Sequence, residues 1–146
     1  MNPPSNRYEV LPSPFVESRS AVTRRVLVIE DNIDSAQALA TLLELNGHEV
    51  QTAHEGLGAL ELAQSFKPDV ILLDIGLPGL DGYEVGRRLR ESIGSDVILL
   101  AMTGYADDKD RERSREAGFN QHLVKPVSPD LLLKMDDCLK TALGLA

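Results

Sequence analysis

The stretch that decides the fold is DVILLDIGLPGLDG, residues 69–82. It begins with an unbroken apolar run at 70–73, which is typical of a strand covered on both faces of a sheet. Asp74 ends this run, and the glycines and proline that follow predict a loop. The sequence therefore predicts a buried strand that delivers Asp74 to the edge of a sheet.

The same strand-then-helix pattern repeats along the chain from residue 25 onward. The predicted strands are 26–29, 50–53, 70–73, 97–102 and 121–124, and the predicted helices follow Asn32, at 56–66, at 83–92, at about 107–117 and after Ser128. Five strands that alternate with five helices predict an α/β fold with a five-stranded parallel sheet flanked by five helices. In such sheets ligands bind beyond the carboxyl ends of the strands.

The first two helices carry apolar stripes that should face the sheet. The stripes are Ala36, Leu39, Ala40, Leu43 and Leu45 in the first helix, and Leu57, Leu60, Leu62 and Ala63 in the second. Asp31 or Asn32 can cap the first helix, and Gly47 is suited to a left-handed residue at its end.

Composition limits the functional classes. The chain has 146 residues and a net charge of −8, which disfavours non-specific binding to nucleic acid. Cys138 is the single cysteine, so an intrachain disulfide and a cysteine-based zinc cluster are excluded. No apolar run approaches the ~20 residues of a membrane span, and no secretory signal is evident, so we expect a cytoplasmic protein.

The proline-rich residues 1–24 lack sustained periodicity and predict a mostly disordered tail. Residues 25–146 are then expected to form one domain. Only about 20 residues follow Lys125, which suffices for a final helix. We therefore expect a stand-alone domain without an effector domain.

Chemically competent side chains stand at the ends of the predicted strands. They are Glu30, Asp31, Asp74, Thr103 and Lys125. Acids packed together repel one another, and a divalent cation removes that conflict. Oxygen ligands without histidine or cysteine nearby favour Mg²⁺.

Such a set suits phosphoryl transfer, which needs mainly positioning and charge neutralisation. Asp74 is the best candidate nucleophile, because its strand is the most apolar and should be central. The Lys125 ammonium and the Thr103 hydroxyl can each bind a phosphoryl oxygen. Each residue alone also has an ordinary interpretation, as a helix cap, a turn residue or a surface charge.

The sequence resembles the receiver domain of two-component response regulators. The resemblance lies in VLVIEDN (26–32), DVILLDIGLPGLDG (69–82), AMTGY (101–105) and HLVKP (122–126). It implies a flavodoxin-like (βα)5 fold with strand order 2-1-3-4-5. It also implies that Asp74 is the phosphoacceptor and that Thr103 and Lys125 hold the phosphoryl group.

The resemblance further implies a Mg²⁺ cofactor. Asp31 and Asp74 would bind it directly, Glu30 would act through water, and the Gly76 carbonyl would be a further ligand. The implied partners are a histidine kinase or histidine phosphotransfer protein and a downstream protein target, with no nucleic acid and no membrane. A homodimer through the surface formed by 107–146 is an alternative partner.

Three positions depart from the family pattern. Glu30 stands where Asp is frequent, and His122 stands at the switch position that usually carries Tyr or Phe. Tyr105, two residues after Thr103, lies where the family tunes phosphoryl lifetime. The coupling between Thr103 and the switch residue is therefore expected to differ, although a half-exposed packing role is also open for His122.

The leading hypothesis is a single-domain response regulator that is phosphorylated on Asp74 and signals by protein contact. It would have no enzymatic activity beyond its own phosphorylation and dephosphorylation. Two alternatives are open: an interaction module that never uses phosphorylation, and a phosphatase with an aspartyl nucleophile. The phosphatase is disfavoured because Gly76 stands where such enzymes carry a second acid.

Overall fold

The computed structural model describes residues 23–76, 81–104 and 108–125. Within them lie strands β1 (Arg25–Ile29), β2 (Glu49–Ala53), β3 (Val70–Asp74), β4 (Ile98–Thr103) and β5 (Gln121–Val124). The helices are α1 (Ile33–Leu45), α2 (Gly56–Phe66), α3 (Gly82–Ile93) and α4 (Asp108–Glu116). The predicted N-terminal tail up to residue 22, Tyr105 and the helix predicted after Ser128 fall outside the described residues.

All five strands are parallel and lie in the order β2-β1-β3-β4-β5, so the predicted α/β fold and strand order are confirmed. β3 is central, and all five of its residues are buried. Its side chains alternate between two apolar layers: Val70 and Leu72 join one, and Ile71 and Leu73 join the other. Both faces are covered, which explains why the apolar run is unbroken.

Two of the predicted stripe residues are exposed. Leu45 is 70% exposed and Leu57 is 63% exposed. Leu45 lies about 200° around the helix from the buried Leu43, because two helical residues turn the chain by that angle. In α2 the predicted stripe residue Ala63 is buried, Leu60 and Leu62 are partly buried against the core, and Gly56, Ala59 and Phe66 complete the buried face.

Side-chain caps fix the start of two helices. Asn32 Oδ1 accepts a hydrogen bond from the Ser35 amide at 2.9 Å, which selects Asn32 rather than Asp31 as the cap of α1. Asp81 Oδ1 accepts from the Tyr83 amide at 2.9 Å and caps α3. None of the described helices has the length and apolar content needed to cross a membrane.

Helix α3 packs tightly against Phe119, which follows α4. The Tyr83 and Phe119 rings meet edge to face, with centroids 6.4 Å apart. A Cβ atom added at Gly86 would lie 2.5 Å from the Phe119 ring. Glycine at position 86 therefore makes room for the ring that joins α3 to the start of β5.

This contact predicts different effects of alanine substitution at two helical glycines, Gly86 and Gly58. Gly86→Ala should lower the free energy of unfolding by about 1–3 kcal/mol, because the buried Phe119 ring must move. Gly58→Ala is the matched control: its nearest contact would be 3.6 Å away on the Glu55 side chain. It should be neutral or stabilising by up to about 1 kcal/mol. Urea denaturation measures both, and equal effects would contradict the packing argument.

Candidate functional site

The parallel sheet brings the predicted site residues to one edge. Glu30 and Asp31 follow β1, Asp74 is the last residue of β3, Thr103 is the last residue of β4, and Lys125 follows β5. These four strands lie next to one another. Their carboxyl ends therefore meet at the same edge, as the sequence predicts.

Three carboxylates form a cluster that could hold a cation. Glu30, Asp31 and Asp74 each offer an oxygen, and these oxygens lie within 4.8 Å of one another. Glu30 and Asp74 are buried, whereas Asp31 is exposed, so the cluster opens toward solvent on the Asp31 side. The donors are all carboxylate oxygens, which is the chemistry that Mg²⁺ prefers.

Lys125 reaches across the sheet edge to the two buried acids. Its Nζ atom lies 2.7 Å from Glu30 Oε1 and 3.2 Å from Asp74 Oδ2. The other Asp74 oxygen, Oδ1, accepts a hydrogen bond from the Gly76 amide at 3.0 Å. Both oxygens of Asp74 are thus held in place by polar groups.

Burial and neighbouring charges shift the pKa values of Glu30 and Lys125. Burial raises the pKa of Glu30, and the nearby Asp74 adds to this rise, while the hydrogen bond from Lys125 opposes it. Burial alone would lower the pKa of Lys125, but its hydrogen bond to Glu30 and the charge of Asp74 raise it overall. One ammonium thus faces two buried acids that lie beside a third carboxylate, so an additional cation would be favourable here.

The β4 and β5 ends supply the remaining predicted residues. Thr103 is half-buried, and its carbonyl accepts a hydrogen bond from the Lys125 amide at 2.7 Å. This bond extends the β4–β5 pairing to Lys125 and fixes the backbone from which its side chain projects. His122 is half-buried on β5, and its Nδ1 lies 3.1 Å from Ser114 Oγ on α4. The switch position is therefore joined to α4.

Sequence reasoning missed two features of this region. It assigned Lys125 to binding a phosphoryl group and did not foresee the direct pair with Glu30, since the two residues are 95 positions apart and leave no local signal. It also did not foresee an ion pair formed by the charged helix α4. In the structure Arg113 of that helix pairs with Asp81 at 2.9 Å, and only the cap position of Asp81 could have drawn attention to it.

Comparisons with known proteins agree with this architecture. The response regulator receiver domain family matches residues 26–136. Response regulator MprA of Mycobacterium ulcerans is 38% identical over 109 residues, which cover 75% of this chain and 47% of that protein. This chain therefore spans about half the length of the curated relatives that it matches.

Solved receiver structures share the fold. A CheY-like receiver domain protein from Methanospirillum hungatei superposes with a TM-score of 0.78 and 26% identity, covering 86% of this chain and all of that one. The chemotaxis protein CheY4 of Vibrio cholerae gives a TM-score of 0.75 and 30% identity, covering 81% and 99% of the two chains.

The family match covers about three quarters of the chain, and the strand order and the acidic edge agree with it. Receiver domains in general accept a phosphoryl group and bind Mg²⁺, and response regulators interact with histidine kinases. The chain belongs to the response regulator receiver domain family.

Proposed function

We propose that this protein accepts a phosphoryl group on Asp74 from the phosphohistidine of a histidine kinase or histidine phosphotransfer protein. The reaction depends on Mg²⁺, and the phosphorylated protein signals by contact with a downstream protein. The observation that carries this proposal is the position of Asp74. It is a buried acid at the end of the central strand, beside two further acids and 3.2 Å from a lysine ammonium.

Asp74 is a better nucleophile than its two acidic neighbours. Lys125 holds Glu30 more closely than Asp74, at 2.7 Å against 3.2 Å, and the other Glu30 oxygen accepts a hydrogen bond from the Asn32 amide at 3.3 Å. Asp31 is exposed, so its carboxylate keeps the water that a nucleophile must shed.

The transfer step follows from these positions. An Asp74 carboxylate oxygen attacks phosphorus, the P–N bond of the phosphohistidine breaks, and the imidazole leaves with the bonding electron pair. Lys125 then turns its ammonium toward a phosphoryl oxygen, which replaces part of its contact with Asp74. The Thr103 hydroxyl donates a hydrogen bond to another phosphoryl oxygen. Bound Mg²⁺ would supply charge neutralisation at the phosphoryl oxygens.

The cluster geometry supports a division of the metal-binding work. Asp31 and Asp74 are proposed as direct ligands together with the Gly76 carbonyl, and Glu30 as a ligand through water. Glu30 already binds Lys125 and the Asn32 amide, which suits an indirect role better than direct coordination. The matched region covers 47% of response regulator MprA, so the partner that receives the signal is not given by this comparison. The net charge of −8 favours a protein over nucleic acid.

Phosphorylation should require Asp74 and Mg²⁺. Incubation with acetyl phosphate and Mg²⁺ should add the mass of one phosphoryl group, and Asp74→Asn should abolish the gain because the amide is not a nucleophile. The control is Asp96→Asn, the same change at an exposed position that precedes β4. Intact-protein mass spectrometry measures both. If several donors, including the cognate kinase, add no mass to the native chain, the interaction-module alternative is favoured.

Mg²⁺ should stabilise the protein through the acidic cluster. At a concentration tenfold above the dissociation constant, the gain in free energy of unfolding should be about 1.4 kcal/mol. Asp31→Asn should remove most of this gain, whereas Asp34→Asn should retain it, because Asp34 is an exposed acid in the first turn of α1. Thermal melts with Mg²⁺ or EDTA measure the difference. An equal Mg²⁺ response in both variants would exclude Asp31 as a ligand.

Loss of Lys125 should slow phosphoryl transfer without weakening Mg²⁺ binding. Its ammonium competes with a cation for Glu30 and Asp74, so Lys125→Met should leave Mg²⁺ affinity unchanged or raise it. The rate of phosphorylation by acetyl phosphate should fall by about 10²-fold, as when one donor to a transition-state oxygen is removed. Lys67→Met, at the end of α2, is the control. A native rate in Lys125→Met would rule out the role proposed for this ammonium.

A further inference from the structure

An ion pair joins the start of α3 to α4. Arg113 Nη2 lies 2.9 Å from Asp81 Oδ2. The other oxygen of Asp81 accepts the Tyr83 amide at 2.9 Å, and the Arg113 guanidinium lies over the Tyr83 ring, 4.1 Å from its centroid. One guanidinium thus contacts both the capping carboxylate of α3 and the first aromatic ring of that helix.

The start of α3 is in turn packed against the backbone that follows Asp74. A Cβ atom added at Gly82 would lie 2.5 Å from the Ile75 carbonyl oxygen and 2.6 Å from its Cα atom. The Ile75 amide is bonded to the Met102 carbonyl at 2.9 Å, so this peptide also belongs to the sheet edge. Gly82 therefore cannot move closer to Ile75 without displacing this peptide, which adjoins Gly76.

Helix α4 has a second attachment one residue further along. Ser114 is buried, and its Oγ lies 3.1 Å from His122 Nδ1 on β5. Arg113 and Ser114 therefore fasten the same turn of α4 to two different parts of the domain: the start of α3 and the last strand.

We propose that Asp81 and Arg113 are positioning residues that link α4 to the backbone of the Mg²⁺ site. The inference rests on the proposed function, because it requires Mg²⁺ to bind at Asp31, Asp74 and the Gly76 carbonyl. The pair restrains Gly82, which contacts Ile75 directly, and so keeps Gly76 in a geometry that suits the cation. Linkage is reciprocal, so Mg²⁺ binding also restrains α4 by the same factor.

The expected size of the effect is modest. Both partners are about half exposed, at 55% for Arg113 and 51% for Asp81. Exposed ion pairs and exposed cation–π contacts shift an equilibrium by about two- to fivefold. We therefore expect Mg²⁺ affinity to change within that range when the pair is broken.

The sign of the change separates positioning from simple electrostatics. Arg113→Met removes a positive charge, so Coulomb attraction alone would raise the affinity for Mg²⁺. Loss of positioning would lower the Mg²⁺ affinity by about two- to fivefold. Isothermal titration calorimetry of the full chain with MgCl₂ measures the Mg²⁺ affinity. An ionic strength of about 0.15 M screens the distant charges during this measurement. Arg115→Met, at an exposed arginine of the same helix, is the control and should not lower the affinity.

A double-mutant cycle provides a second variant. Asp81→Asn retains an oxygen that can cap α3 and removes the charge that binds Arg113. It should weaken Mg²⁺ binding, and the double variant should be no weaker than the weaker single variant, because the two residues act as one unit. Hydrogen exchange of amides 112–119 should slow on addition of Mg²⁺ in the native chain and respond less in either single variant.

The outcomes distinguish this inference from the function on which it rests. Unchanged or higher Mg²⁺ affinity in Arg113→Met, or additive losses in the double variant, would overturn the link while phosphorylation of Asp74 still occurred. If the native chain neither bound Mg²⁺ nor gained a phosphoryl group, the proposed function itself would fail and the link with it.

Discussion

The central constraint is the burial of an ionisable acid at the end of an apolar strand. Every residue of β3 is buried, and Asp74 ends it with only 6% of its surface exposed. A buried carboxylate is stable only when its charge is met by other groups. Here the Gly76 amide binds one oxygen and Lys125 approaches the other. The loop after β3 and the end of β5 must therefore converge on this acid.

The parallel sheet makes this convergence possible. Order β2-β1-β3-β4-β5 places the central strand between β1, which supplies the other acids, and β4, whose partner β5 precedes the lysine. Because crossover helices return each strand to the same direction, residues 95 positions apart meet at one edge. The fold thus brings together acidic residues that are far apart in the sequence. At this edge they outnumber the lysine ammonium, and this excess of negative charge favours binding of a divalent cation.

The sequence predicted the strands, their order and the acidic edge. It did not predict features that depend on contacts between residues far apart in the sequence. Strands such as Val70–Asp74 were recognised because full burial leaves an unbroken apolar run, and the strand ends then located the acidic edge. Leu45 and Leu57 were assigned to buried faces and are exposed, since leucine content does not reveal which side of a helix meets its neighbour. The Lys125–Glu30 pair depends on tertiary geometry, which no local pattern encodes.

Helix α4 is the element through which the acidic edge of the sheet can affect the surface of the domain. Its sequence, DKDRERSRE over Asp108–Glu116, contains no apolar residue, so hydrophobic burial contributes little to its position. Polar contacts through Arg113 and Ser114 fasten it instead. The Arg113–Asp81 pair is about half exposed, and an exposed ion pair contributes about 1 kcal/mol at most, so this attachment of α4 costs little to release. If Asp74 is phosphorylated as proposed, the added charge would act first on Lys125, which lies 3.2 Å from Asp74, and a change in free energy of about 1 kcal/mol would suffice to shift how α4 is held.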